Sequence, residues 1–302
     1  MDKTSSVGIA SSSAIRPSVA RRVAGWAGRW LPALPLLLLV GFCLVAPAIV
    51  LVTQSIATRD GVGLGLWTKV LGQSVNQRAI LTSVELGLAS AALSTLIGAP
   101  IAWLISRMFP GRRAFWLGLL NVAANFGGIG LAFGYVATLG SVGMLSLIVQ
   151  GLGIAFDPPP QASFIALLMA YEYTNIPLFV LLTIPAMGIL RDDWWEAAQT
   201  ASATRGQFWR RIGLPVLLPF VGAGFLLIFT WSIGIYGIAY GLAGQSGATP
   251  VLLITLQIGT ALQGDVLLGP ARAGILAVVL MLIAIVSLVS YRLLLRRALR
   301  WF

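Results

Sequence analysis

Charged and polar side chains in this sequence are concentrated at two places that could carry chemistry. The first is Glu172, the sole charged residue between Asp157 and Arg191. An ionised carboxylate at bilayer depth costs about 2.5–3.5 kcal/mol on insertion scales, so it needs a cavity or a partner rather than lipid. Asn175 lies one helical turn on and shares its face, Tyr171, Tyr173 and Thr174 add polar groups, and Pro177 frees a backbone carbonyl. Two readings follow. Glu172, Asn175 and Tyr171 line a solute path that suits a cationic solute, or they form interhelical hydrogen bonds that hold a bundle together. Trp231 and Tyr236 are further candidates for such a path, although aromatic residues near span ends also serve as interface anchors.

The second place is the polar, basic insert EAAQTASATRGQFWRRIGLP, Glu196 to Pro215, between two long apolar stretches. Asp193 and Glu196 have capping-box spacing, which predicts that a short helix starts at Asp193. Ala197, Ala198 and Ala201 favour helix and carry little bulk, so another protein could approach that face closely. Trp194, Trp195, Phe208 and Trp209 suit a bilayer interface. From these residues alone, the insert is either a contact for a partner or an amphipathic helix on the lipid surface, with Arg205, Arg210 and Arg211 meeting phosphates.

Other chemistry has no residues to do it. There is no histidine, and the single Cys43 excludes an internal disulfide and any cysteine-based metal site. No G-x-x-x-x-G-K-[ST] run cradles nucleotide phosphates, no nucleophile has a base partner, and no cofactor is expected. Gly127-Gly128-Ile129-Gly130 imitates a glycine-rich loop but lies inside an apolar run, where glycines usually mark close helix contacts. The same reading applies to Gly87, Ala91, Ser94 and Gly98, and to the pair Gly130 and Gly134.

The elements that must position these residues are membrane helices. With 58% hydrophobic and 10% charged residues, the chain is too apolar for a soluble domain. About 20 apolar residues cross the hydrocarbon core, which predicts six spans near 31–52, 80–106, 115–138, 162–189, 216–238 and 271–293. Two apolar pieces are too short to cross: 140–156 reads as interfacial or re-entrant, and 251–262 follows the breaker-rich stretch Gly241 to Pro250. Residues 1–30 read as a disordered basic tail. Ala46-Pro47-Ala48 imitates a signal cleavage site, but the apolar run continues through Val52, so the first span is expected to stay.

Orientation follows from the basic residues. With both termini cytoplasmic, the inner segments hold 16 of the 20 lysines and arginines and the outer ones 4. The net charge of +11 is then mostly an orientation signal, and nucleic acid is not an expected partner. The insert falls on the cytoplasmic side.

There, Glu196-Ala197-Ala198, then Ser202, then Ile212 and Leu214-Pro215 resembles the EAA loop of permease subunits in binding-protein-dependent ABC importers. The match departs at Ser202, where the family has glycine, and Gly206 lies nearby. The resemblance implies an all-α, polytopic type I (MetI-like) permease fold over 31–302, with a coupling loop at about 191–215. It implies a site in the bacterial inner membrane and separate ATPase subunits that hydrolyse ATP and receive this loop. It also implies a second permease subunit, as a copy or a relative, and an extracytoplasmic solute-binding protein. Similarity extends to permeases for spermidine/putrescine, thiamine, iron and sulfate, and Glu172 inclines the solute toward polyamine-like cations. The rivals are an ion-coupled secondary transporter or channel without ATPase, and a non-transporting scaffold.

Overall fold

The computed structural model describes residues 31–58, 61–154, 157–244, 251–264 and 268–298. The expected tail, 1–30, lies outside the described residues. The chain divides into two compact units at Val50 and Leu51. In the first, the described residues form the apolar start of helix α1 (Leu34–Ile56), which contains a π turn at Gly41–Val45.

The second unit is helical apart from a two-residue antiparallel pairing of Ala57–Thr58 with Gly61–Val62. In chain order it holds α2 (Gly65–Leu71), α3 (Ser74–Ser106), α4 (Pro110–Asn125), α5 (Gly128–Leu139), α6 (Met144–Gly151) and α7 (Phe164–Met187). There follow α8 (Asp192–Thr200), α9 (Arg205–Gly234), a short helical stretch at 237–244, α10 (Ile254–Gly264) and α11 (Gly269–Ala298). Among the described residues six segments are long and apolar enough to cross a membrane: Leu34–Ile56, Ser74–Ser106, Gly128–Gly151, Phe164–Met187, Arg205–Gly234 and Gly269–Arg296.

The expected third span, 115–138, is not one helix. α4 ends at Asn125, and the chain restarts at Gly128 with φ +70°, a conformation that costs an L-residue about 1–2 kcal/mol. The run that qualifies by length and apolarity, Gly128–Gly151, therefore takes in most of the stretch expected at the interface. The segment after Pro250 behaves as expected: α10 has 11 residues, too few to cross, and its first residue, Ile254, is buried and donates its amide to Ser83 Oγ at 2.9 Å.

α3, α7 and α9 pack together around Phe179, which is completely buried. A Cβ on Gly98 of α3 would come within 2.6 Å of the Phe179 ring, and one on Gly224 of α9 within 2.9 Å. The ring is thus clamped between two backbones that approach closely because they carry no side chain there, which is how helices associate where lipid removes the hydrophobic drive. The expected stripe of small residues on α3 is real: Ala91, Ser94, Gly87 and Gly98 are all buried. The expected pair on α5 makes no close contact among the described residues, since beyond their own helix backbone neither Gly130 nor Gly134 has an atom within 4 Å of its Cβ position.

Candidate functional site

The basic insert folds as two short helical pieces joined by a tight turn, an elbow between α7 and α9. Its first piece, α8, starts one residue earlier than the expected cap. Arg191, in extended backbone, is the capping residue, and no side chain caps the helix. Asp193 is inside the first turn and forms an ion pair with Arg191, while Asp192 pairs with Arg107 at the end of α3. The capping box expected at Asp193–Glu196 is therefore absent, because both aspartates take arginine partners that offer charge as well as hydrogen bonds. Their place in the first turn still suits the helix dipole.

Along α8, Glu196 and Ala197 are exposed, while Ala198 is half-buried and packs, with Trp194 and Trp195, on the cluster around Phe208 and Leu217. The helix ends in a Schellman turn: Ser202 donates its amide to Gln199 O at 2.9 Å, and Ala203 donates to Ala198 O at 3.0 Å. Ser202 sits at φ +57°, and it is the one non-glycine residue in the left-handed region among those described. This is the position where the EAA pattern has glycine, and the backbone here is of the kind that favours it.

The next turn carries the capping box that the sequence reading missed. Thr204 Oγ1 accepts from the Gln207 amide at 3.3 Å, and Gln207 Oε1 accepts from the Thr204 amide at 3.0 Å. Its T-x-x-Q spacing was the available signal. Gly206, in the first turn of α9, has open space around it. α9 then widens into a π turn over Trp209–Gly213, including half-buried Ile212, just before Leu214-Pro215. Pro215 has no amide to offer the preceding turn, which accounts for a ladder that loosens there. The Trp209 ring lies on Gly213, 2.6 Å from where a Cβ would be, and meets Trp103 edge-on with centroids 4.8 Å apart. The elbow is thus fastened to the ends of α3 and α7 while α8 offers its outer face.

The second constellation is a buried seam. Ser94 of α3 donates to Glu172 Oε2 at 2.6 Å, and Asn175 Nδ2 donates to Ser90 Oγ at 2.8 Å and to Ser232 Oγ of α9 at 2.9 Å. Glu172 and Asn175 are buried, so one pair of side chains on α7 ties together all three packed helices. Glu172 Oε1 and Asn175 Oδ1 have no hydrogen-bond partner among the described residues. Tyr171, also buried, donates to Ile235 O at 3.3 Å, where α9 ends.

A cavity of about 590 Å³ lies beside this seam, lined by Asn121, Asn125, Gly127, Gly128, Thr174, Trp231, Tyr236 and apolar neighbours. Trp231 and Tyr236, expected as path residues, do line it. Glu172, Asn175 and Tyr171 are not among its lining residues, and each makes a hydrogen bond to another segment of the bundle. Thr174, which the sequence marks as part of the polar neighbourhood of Glu172, lines it too, and the two asparagines of α4 are lining residues that the sequence reading left aside. Their signal was the i, i+4 placement of Asn121 and Asn125 before a double glycine. Among the described residues no charged side chain lines it.

Six apolar helical segments of spanning length among the described residues define a polytopic membrane protein. No protein-family model matches the chain. It is 31% identical over 188 residues to the molybdenum transport system permease protein ModB of Mycobacterium tuberculosis, an alignment that covers 61% of this chain and 68% of that one. It is 31% identical over 156 residues to the sulfate transport system permease protein CysT of Salmonella typhimurium, covering 50% and 53% of the two chains. Against the spermidine/putrescine permease PotB of Haemophilus influenzae the identity is 23% over 261 residues, covering 83% and 88%. A crystal structure of a bacterial ABC transporter that imports alginate shares the fold, with a TM-score of 0.70 and 18% identity over 92% of this chain and 99% of that one. The chain belongs to the permease subunits of ABC importers, and is a multi-pass inner-membrane protein.

Proposed function

We propose that this chain forms part of the solute path of an ABC importer and takes mechanical work from separate ATPase subunits through α8. The observation that supports this most directly is the left-handed turn at Ser202, which falls at the glycine of the EAA pattern and leaves Glu196 and Ala197 uncovered on the helix before it. In this reading α8 lies in a groove of the ATPase on the cytoplasmic side, both termini are cytoplasmic, and ATP hydrolysis occurs in the partner. A second permease subunit completes the path, and an extracytoplasmic binding protein delivers the solute. A related alginate importer has been crystallised with its substrate-bound periplasmic protein, which supports the last of these partners.

The cavity lined by Thr174, Trp231 and Tyr236 is the stretch of path that this chain contributes. The inclination toward a polyamine-like solute rested on Glu172, and that carboxyl faces Ser94 rather than the cavity. An uncharged lining discriminates little by charge, so solute choice falls to the binding protein, in keeping with relatives named for molybdenum, sulfate and polyamines alike. Reconstitution in liposomes with the ATPase subunits, the second permease subunit and the binding protein tests the reading. Uptake is expected only with ATP and the binding protein present. Uptake driven by an ion gradient without ATP would overturn it in favour of an ion-coupled transporter.

A further inference from the structure

Beneath the elbow lie two cavities of contrasting chemistry that share a wall. One, of about 310 Å³, is lined by Arg107, Arg191, Arg205, Trp103, Trp195 and Trp209, with Asp192 and apolar neighbours. The other, of about 300 Å³, has a wholly apolar lining between α3 and α9 that includes Pro100, Leu217, Leu218 and Val221. Trp103 and Trp209 line both. Leu214 and Leu218, at the rim of the apolar cavity, are exposed.

The charges in the first cavity are unevenly used. Arg107 is engaged by Asp192, by Leu190 O at 2.7 Å and by the Trp103 ring, and Arg191 by Asp193. Arg205 has no ion pair among the described residues and lies 5.8 Å from the centre of the Trp195 ring. A guanidinium with no ion pair among the described residues, beside tryptophans at the end of a membrane helix, matches a phosphate donor fork at headgroup level. The apolar slot on the other side of Trp103 and Trp209, between α3 and α9, matches an acyl chain. A free anion would account for the first cavity but not the second.

We propose that an anionic phospholipid occupies this pair of cavities, its phosphate against Arg205 and one acyl chain in the slot between α3 and α9. The lipid would then wedge the elbow against the bundle. The proposal rests on the coupling reading only for the leaflet, since a cytoplasmic elbow assigns the lipid to the inner one.

Native mass spectrometry tests it on the full chain in nanodiscs of equimolar phosphatidylglycerol and phosphatidylcholine, released into mild detergent. Phosphatidylglycerol is expected to be retained in excess. Arg205→Gln should lose about fivefold of that preference, the usual worth of one arginine at an anionic surface. Leu218→Trp, which fills the slot, should lower retention of lipid as such, and Arg78→Gln at the other end of α3 should leave the preference unchanged. Equal retention of the two lipids, or a preference that survives Arg205→Gln, overturns the proposal. So does inorganic phosphate that binds the detergent-solubilised chain through Arg205 while no lipid preference is seen, because that assigns a free-anion site. Loss of ATPase subunits from Arg205→Gln with lipid preference intact also overturns it, assigning the arginine to a protein contact. Because the lipid count needs no ATPase, failure of the coupling reading leaves this test standing.

Discussion

The elbow and the seam hold polar groups in opposite ways. In the seam, Glu172 and Asn175 are buried and spend their hydrogen bonds on three serines of two other helices. In the elbow most polar groups are spent locally, on a Schellman turn, a capping box and the Arg191–Asp193 pair, with Asp192 alone reaching Arg107 at the end of α3, and the outer face of α8 keeps Glu196 and Ala197 uncovered. The difference teaches where each can act. A seam whose hydrogen bonds run between helices fixes how the bundle packs, while an elbow that makes most of its polar contacts within itself can meet another protein without unfolding them. It is also fastened at its base, where Phe208 packs in the core cluster and Trp209 meets Trp103 of α3.

Substitutions separate the two regions, and the largest effect belongs to the bundle. Gly98→Leu forces a side chain into the Phe179 ring and is expected to cost about 3 kcal/mol, read as a lowered unfolding midpoint in detergent. Asn175→Ala removes both serine contacts of the seam and should cost about 2 kcal/mol by the same assay. In the elbow, Glu196→Lys or Ala197→Trp should change stability by no more than about 0.5 kcal/mol, yet weaken ATPase retention in a pull-down by about 1–2 kcal/mol, several-fold or more. Ala198 is unsuited to this test, because it packs on the chain's own core. The smallest effect is a gain: Ser202→Gly relieves the left-handed backbone and should stabilise the chain by about 1 kcal/mol without lowering ATPase retention. Glu172→Gln sharpens the contrast from the other side. It keeps an acceptor for Ser94 and is expected to leave uptake near that of the unmodified chain, whereas Trp231→Ala, in the cavity wall, should lower it.

Span number and the elbow's place were legible because both depend on local signals, namely apolar run length and a motif of fixed spacing. The break at Phe126–Gly127 was not, since apolarity continues through it and only backbone geometry at Gly128 reveals it. The cap at Asp193 was misread because Asp193 pairs with Arg191, two residues before it, while its neighbour Asp192 pairs with Arg107, 85 residues away. Long-range ion pairing leaves no trace in local spacing. Glu172 was legible as a group that avoids lipid. Whether its face met a cavity or two neighbouring helices depended on how α3 and α9 close on α7, which glycines such as Gly98 and Gly224 decide jointly and no single helix pattern shows.

The central claim, that α8 is the attachment for a nucleotide-hydrolysing partner, is tested most directly by crosslinking. With Cys43, the only native cysteine, changed to serine, Ala197→Cys places one reactive thiol on the outer face of α8. In native membranes, a short thiol-to-amine crosslinker is predicted to join the chain to an ATPase subunit, and a thiol reagent that cannot cross the membrane should label this position only from the cytoplasmic side. Labelling from the outer side alone, with no ATPase adduct, would contradict the account.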